Sequence, residues 1–241
     1  MKMIYCDNAA TTPLDKDVIK EMNKISSSIF GNPSSIHKFG QESRAIIERA
    51  RLNMANLLGC NLSEIIFTGC GSESNNIALL GLLKKGDHFI TTSYEHPAIL
   101  KTANKLEEDG IDVTYIKPNS SGLIEIKDIE NSIKKNTKLV SIMYVNNELG
   151  TENPIEEISE LTKKYGIIFH TDAVQIIGKK EISIKNTSID LLSLSAHKFY
   201  GPKGVGALYI KDGINLFPTY FGGGQEKDLR PGTENIVYIH G

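Results

Sequence analysis

Cysteine is scarce in this sequence of 241 residues: Cys6, Cys60 and Cys70 stand far apart, and their spacing matches no metal-ligand pattern. So sparse and odd a count argues against a disulfide framework and fits reduced thiols in a cytoplasmic protein. An excess of one charge is also missing. Lys and Arg total 27 against 29 Asp and Glu, a formal charge of −2 with both signs dispersed. Without a basic block, nothing points to nucleic acid or an anionic membrane surface. The opening MKMIYCDNAATT has no apolar stretch of signal-peptide length, and no run elsewhere is long enough to span a membrane. Internal repeats and low-complexity linkers are absent as well.

What is present is ordinary core-forming material. Hydrophobic residues make up 40% and charged residues 23%, enough for one large soluble domain or a domain and a half with a full core. Short apolar runs alternate with helical stripes. The strand candidates are 4–7, 64–68, 88–92, 112–116, 139–145, 167–171, 191–194 and 205–210. The helix candidates are 16–23, 41–58 ended by Gly59, a segment from 69–76 to about 85, 98–109, 126–135, and one from Pro154 to just before Gly166. The stretch 26–40, rich in Ser, Gly, Asn and Pro, reads as an extended loop. Such alternation predicts an α/β protein: a three-layer, mostly parallel sheet with helices on both faces.

Ligands of such sheets sit beyond the carboxyl ends of the strands, so the residues just after each strand matter most. Five predicted ends carry polar groups. They are Gly71, Ser72, Glu73 and Ser74; Tyr94, Glu95 and His96; Asn146, Asn147 and Glu148; Asp172 and Gln175; and His197 with Lys198. The densest stretch is 193–210, SLSAHKFYGPKGVGALYI, which reads as strand, sharp polar turn, strand. It presents Lys198 beside Ser195 and His197, a setting suited to a Schiff base with a phosphorylated aldehyde. The plain alternative is a surface turn with an exposed lysine.

Each group has a similar pair of readings. The strand-to-helix turn at 69–72 offers free N–H groups and a hydroxyl to a phosphate, or is simply an N-cap. Asp172 pairs with a pyridinium N–H, or caps the following turn. His96 stacks on a flat ring or moves a proton, or is a loop histidine with a satisfied hydrogen bond. Gln175 and Asn147 reach a phenolic oxygen or a substrate carboxylate, or are structural. The glycine-rich loop from Phe221, with Arg230 and Thr233, closes over a site or reaches a neighbouring subunit, or is solvated.

Eight segments then occur in one order: YCDNAATTP, GNPSSIHKFG, FTGCGSESNN, EHPAIL, VNNELG, HTDAVQ, SLSAHKFYGPKGVGALYI and GGGQEKDLRPGTEN. Together they resemble the pyridoxal-phosphate cysteine desulfurases of iron–sulfur cluster assembly, in the class V aminotransferase superfamily, and the resemblance covers essentially the whole chain. It implies a fold-type-I large domain over 16–241 after an N-terminal segment, 1–15. It implies pyridoxal 5′-phosphate as cofactor, L-cysteine as substrate, a homodimer and a sulfur-acceptor protein as partners, and a cytoplasmic location. By the same resemblance Lys198 would carry the cofactor and Asp172 would hold its ring nitrogen protonated. His96 would stack on the ring and shuttle protons. Gln175 would bond the ring phenolate, with Asn147 near that oxygen or the substrate. Gly71, Ser72, Ser195 and His197 would hold the phosphate, and Thr233 would reach the phosphate of the other subunit. No metal is implied.

The sequence departs from the pattern at one point. The family is roughly half as long again, and its persulfide-forming cysteine and an arginine for the substrate carboxylate are expected beyond Gly241. None of the three cysteines occupies that motif: Cys6 falls in a predicted strand, Cys60 follows a helix-ending glycine, and Cys70 sits at the phosphate turn. The expectation is therefore an incomplete desulfurase, binding its cofactor weakly at best, forming no persulfide unaided, and exposing apolar surface. A selenocysteine lyase, a class V transaminase and a non-catalytic scaffold in sulfur trafficking remain alternatives, and iron–sulfur assembly and tRNA thiolation stay equally open.

Overall fold

The computed structural model of the protein describes residues 3–185 and 187–241; Met1 and Lys2, the start of the expected N-terminal segment, lie outside the described residues. Among the described residues seven strands form one sheet in the order β1-β7-β6-β5-β4-β2-β3. They are β1 (Ile65–Thr68), β2 (His88–Thr92), β3 (Asp112–Ile116), β4 (Thr137–Ser141), β5 (Ile168–Asp172), β6 (Leu191–Ser195) and β7 (Gly206–Ile210). The run β6-β5-β4-β2-β3 is parallel, and β7 lies antiparallel between β1 and β6. The α/β reading of the sequence therefore holds, with one antiparallel strand inserted.

Among the described residues the helices that cover the two faces are α1 (Lys16–Ser28), α2 (Lys38–Leu58), α3 (Gly71–Leu80), α4 (Pro97–Glu108), α5 (Ile126–Ser132), α6 (Ile155–Tyr165) and α7 (Ile236–His240). Successive strand residues point to opposite faces, and here both are buried. Ile65, Ile90, Val140, Phe169 and Leu192 pack with α1, α2, α5, α6 and α7. Ile66, Phe89, Leu139, Ile168 and Leu191 pack with α3 and α4. This is why the strands read as near-continuous apolar runs.

The helix ends follow local chemistry. Asp15 caps α1 by accepting from Asp17 N. Gly59 and Gly166 end α2 and α6 with φ of 74° and 67°, the left-handed conformation that glycine adopts without a Cβ penalty. In α6 the first turn carries Glu156 and Glu157 and the last turn Lys163 and Lys164, matching the helix dipole.

Several boundaries differ from the sequence expectation. Residues 4–7 are not a strand: Met3 and Ile4 are 96% and 83% exposed, and no strand pairs with them. Without a neighbouring strand, water takes the backbone hydrogen bonds of this exposed segment and no ladder forms. Cys6 accordingly lies in an exposed extended segment. The first helix runs five residues further, with the Ser27 and Ser28 hydroxyls bonding back to Lys24 O. Helix α3 stops at Leu80, five residues early, where Phe217 N donates to Gly81 O. Helix α5 ends at Ser132 and β4 at Ser141, although Tyr144 N still donates to Asp172 O beyond it.

Candidate functional site

The direction in which successive parallel strands are added to the sheet reverses between β4 and β2. From β4 the connections run through β5 to β6, and from β2 they run the other way to β3. A crevice opens at the carboxyl ends around such a point. The cleft there has a volume of about 230 Å³, and its walls include Gly71, Ser72, His96, Asn147, Asp172, Gln175, Ser195, His197 and Lys198. Nine of the ten site residues named from the sequence thus come together, drawn from five different strand ends. Thr233 does not join them; it is exposed on the segment before α7.

Asp172 ends β5 and is only 6% exposed. Its Oδ2 accepts from Asn75 Nδ2 at 2.7 Å and its Oδ1 from Val174 N at 3.0 Å. Burial pushes its proton affinity up, and those two donors with the charges of His96 and Lys198 pull it down. Lys198 ends the 3-10 turn that follows β6. Burial makes its ammonium easier to deprotonate, Lys179 adds repulsion, and Asp172, Asp7 and Glu148 oppose the shift. Its Nζ donates to Ala9 O. His96 caps α4: its Nδ1 accepts from Ala98 N at 3.1 Å, so Nε2 carries the proton of the neutral ring.

The phosphate side of the cleft has its own signature. Helix α3 begins at Gly71 with no side chain capping it, Cys70 standing at the N-cap position. Ser195 is 2% exposed and its hydroxyl has no hydrogen-bond partner, and Asn75 Oδ1 is equally unpartnered. Buried polar atoms without partners are rare and require a reason. A Cβ on Gly71 would come within 2.8 Å of Val174 Cγ2, so glycine keeps the floor of the turn open. At Gly206 a Cβ would meet Leu194 O at 2.6 Å and the Cys70 carbonyl carbon at 2.8 Å, so only glycine lets β7 approach the turn this closely. The donor set, the orphaned hydroxyl and the uncapped helix fit a phosphate, and the Asp172–Lys198 pair fits a pyridine aldehyde.

Sequence reasoning missed several members. Asn75, the clamp on Asp172, lay inside FTGCGSESNN but had no assigned role. The segment after Asp7 carried no assigned site residue, yet Ala10 lines the cleft. Gln175 Nε2 also donates to Ala9 O, at 2.9 Å, Thr12 N donates to His197 O, and Tyr200 N donates to Thr12 Oγ1. Lys179, whose Nζ donates to Gln175 Oε1 at 2.9 Å, was unmarked too. None of these carries a local signal, because each acts through a partner more than 90 residues away or through one turn of geometry. Asn147 donates to Glu148 Oε1. Cys70 lines the cleft, whereas burial pushes the Cys60 thiol up to about 11. Among the described residues, no cluster of three or more His, Cys, Asp or Glu is placed to hold a metal ion, and no helix is long and apolar enough to cross a membrane.

Comparison with known proteins agrees with this geometry. Residues 4–239 match the aminotransferase class-V family. The cysteine desulfurase IscS of Dictyoglomus turgidum is 48% identical over 242 residues, which span 99% of this chain and 61% of that protein. The putative cysteine desulfurase IscS 1 of Bacillus subtilis is 49% identical, over 100% of this chain and 65% of that protein. This chain therefore spans less than two thirds of the length of these curated relatives. Among solved structures, a NifS-like protein superposes with a TM-score of 0.96 at 41% identity, covering 99% of this chain and 67% of that one. SspA in complex with cysteine gives 0.95 at 45% identity, covering 99% and 70%. On the matched residues, the shared fold and the cleft, this chain belongs to the class-V aminotransferase family, alongside relatives named cysteine desulfurases.

Proposed function

We propose that the cleft binds pyridoxal 5′-phosphate and carries out the amino-acid half of a cysteine desulfurase reaction on L-cysteine. One observation carries this reading. Lys198, Asp172 and an unpartnered Ser195 hydroxyl at an uncapped helix N-terminus line a single cleft. The relatives' names and the cysteine held by SspA support the choice of substrate. In this reading residues 16–241 form the large cofactor-binding domain.

When bound, the cofactor supplies an electron sink for a carbanion at the substrate Cα. The chain's own residues do the rest. Lys198 Nζ, eased toward its neutral amine by burial and by Lys179, is the nucleophile that anchors the aldehyde and the base that receives the α-proton. Asp172 would face the ring nitrogen and hold a proton there. His96 would stack on the ring and move a proton through Nε2. Ser195, His197, Ser72 and the N–H groups of the α3 turn would hold the phosphate. Gln175 and Asn147 would bond the ring oxygen and the substrate, and Thr233 would reach the phosphate site of a second copy in a homodimer. The sulfur-accepting half, which this reading assigns to no residue of the chain, would need a cysteine thiolate to attack the substrate Sγ. The Cβ–Sγ bond would break with its electrons left on the substrate, whose protonation would give alanine, and the thiolate would become a persulfide. A sulfur-acceptor protein receives that sulfur. Scattered free thiols, one of them pushed by burial up to about 11, suit a reducing cytoplasm.

Borohydride reduction after incubation with pyridoxal 5′-phosphate tests the first step. Peptide mapping is expected to find the reduced pyridoxyl label concentrated on Lys198 and absent from Lys198→Ala. Labelling spread over surface lysines and unchanged in the variant would overturn the assignment.

A further inference from the structure

Glu95 is a buried carboxyl group that the reaction described above does not use. It is 4% exposed, and it lies where β2 and β4 part at the reversal point of the sheet. The registered β2–β4 ladder ends at Ile90 and Val140, and past that level the two chains diverge into the cleft. Glu95 bridges the gap. Its Oε1 accepts from Thr92 Oγ1 at 2.8 Å, on the β2 side, and from Met143 N at 2.9 Å, on the β4 side. Met143 is a wall of the cleft, and so is His96, the residue that follows Glu95. Next to it Asn146, the hinge of the β4 loop, donates to Tyr94 O at 3.0 Å, which strengthens the same bridge. The second carboxyl oxygen, Oε2, is fully buried and has no partner.

An ionised carboxylate with one oxygen bare of donors would be strongly destabilising in such a place. Among the described residues no cation pairs with Glu95, and the nearby Asp172 carboxylate repels a second negative charge. The phenol of Tyr94, the neighbour on the chain, points to Asn153 Oδ1 and Gly122 O instead. A proton on Oε2 removes the buried charge, the larger of the two costs, although the hydroxyl so formed faces no acceptor.

We propose that Glu95 is a positioning residue of the cleft: as a neutral carboxylic acid it ties the end of β2 to the end of β4, fixes the spacing of His96 and Met143, and leaves Asp172 as the lone carboxylate facing the cofactor's ring. The inference rests on the cofactor reading of the cleft. Burial, followed by repulsion from Asp172, pushes the Glu95 carboxyl up to about 8, in keeping with that role.

Two measurements on the full chain test it. In the first, pyridoxal 5′-phosphate is titrated into wild type, Glu95→Gln and Glu95→Ala. The amide of Gln has the shape of the neutral acid and still accepts from Thr92 and Met143, so its dissociation constant is expected within about threefold of wild type. Ala removes the bridge, and at least a tenfold weakening is expected. In the second, urea unfolding of wild type and Glu95→Gln is compared from pH 5 to pH 8 without cofactor. The unfolded chain loses the Glu95 proton near its ordinary 4.5 while the folded chain keeps it to about 8. The unfolding constant of wild type relative to the variant should therefore rise by up to tenfold per pH unit across that range. Glu95→Gln binding as poorly as Glu95→Ala, Glu95→Ala binding like wild type, or a ratio flat with pH would each overturn the proposal. If wild type takes up no cofactor, the cofactor reading fails, and the pH comparison still decides the state of Glu95. Should Glu95→Ala not fold, Glu95→Gln decides on both measurements.

Discussion

Ser195 is the residue at which sequence and structure meet most directly. Its hydroxyl is buried and bonds to nothing, a cost that a folded protein normally avoids. Removing the hydroxyl should then leave the protein no less stable while weakening the site. Ser195→Ala is expected to unfold at the same or a slightly higher urea concentration. It should bind pyridoxal 5′-phosphate about tenfold to a hundredfold more weakly, as fits the loss of one hydrogen bond to a charged oxygen, ~1.5–3 kcal/mol. Titration of the cofactor with equilibrium unfolding on the same samples checks both halves. A drop in stability with unchanged affinity would make Ser195 a core residue and nothing more. Asn75 makes the complementary point. Its amide holds Asp172 from 97 positions away along the chain, and nothing near Asn75 in the sequence announces that contact.

Among the elements, the loop from Gly222 to Asn235 is held by one buried ion pair. Arg51 of α2 makes a two-pronged bond to Glu226, with Nη1 to Oε2 and Nη2 to Oε1 both at 2.8 Å. Arg51 Nη1 also donates to Ile65 O, and Phe67 N donates to Glu226 Oε2, so the pair spans α2, β1 and the loop. Around it Glu226, Lys227 and Asp228 all take left-handed backbone angles, with φ of 44°, 61° and 62°. Three such residues in a row are strained and persist only where surrounding contacts hold them. Arg51→Ala leaves Glu226 buried without its partner, and a loss of ~3–5 kcal/mol is expected from urea unfolding. Replacing both with apolar residues of similar size, as in Arg51→Met with Glu226→Leu, should recover most of that loss. The sequence showed Arg230 in this loop and left Arg51 unremarked; Arg230 itself pairs with Glu73 of α3 at 2.9 Å.

For the whole molecule, two buried groups with large shifts, His170 and Glu95, set opposing pH dependences of stability. His170 lies on β5 with its ring between Ser141 of β4 and Ser193 of β6, at 2.7 and 3.0 Å. Burial pushes its proton affinity down to about 3 from an ordinary 6.5. As pH falls below 6.5 the unfolded chain gains a proton that the folded chain refuses until about 3, so stability falls toward acid. Glu95 acts in the other direction, and its contribution falls as pH rises from 4.5 to about 8. Each slope approaches ~1.4 kcal/mol per pH unit. Between 4.5 and 6.5 the two nearly cancel, and that window should hold the stability maximum as far as these groups set it. His170→Gln is expected to flatten the acid limb while leaving the limb above pH 6.5 in place, as read from urea midpoints across pH. An acid limb that is unchanged in the variant would refute the assignment.

The sequence by itself determined the layered α/β architecture, because strands buried on both faces must be apolar throughout and helices buried on one face must be striped. It also determined which strand ends carry polar chemistry, since those residues are local to each turn. The Lys198 stretch and the 69–72 turn were legible in this way. Tertiary structure alone decided three things. It found no partner for residues 4–7, so an apolar run that resembled a strand stayed exposed. It brought Asn75 to Asp172, Ala9 to Lys198 and Gln175, and Arg51 to Glu226, contacts whose partners are too far apart in the chain for any periodicity to reveal. It placed Glu95 in the crevice between β2 and β4. There the lack of a cation and the closeness of Asp172, both consequences of packing, decide whether that carboxyl keeps its proton.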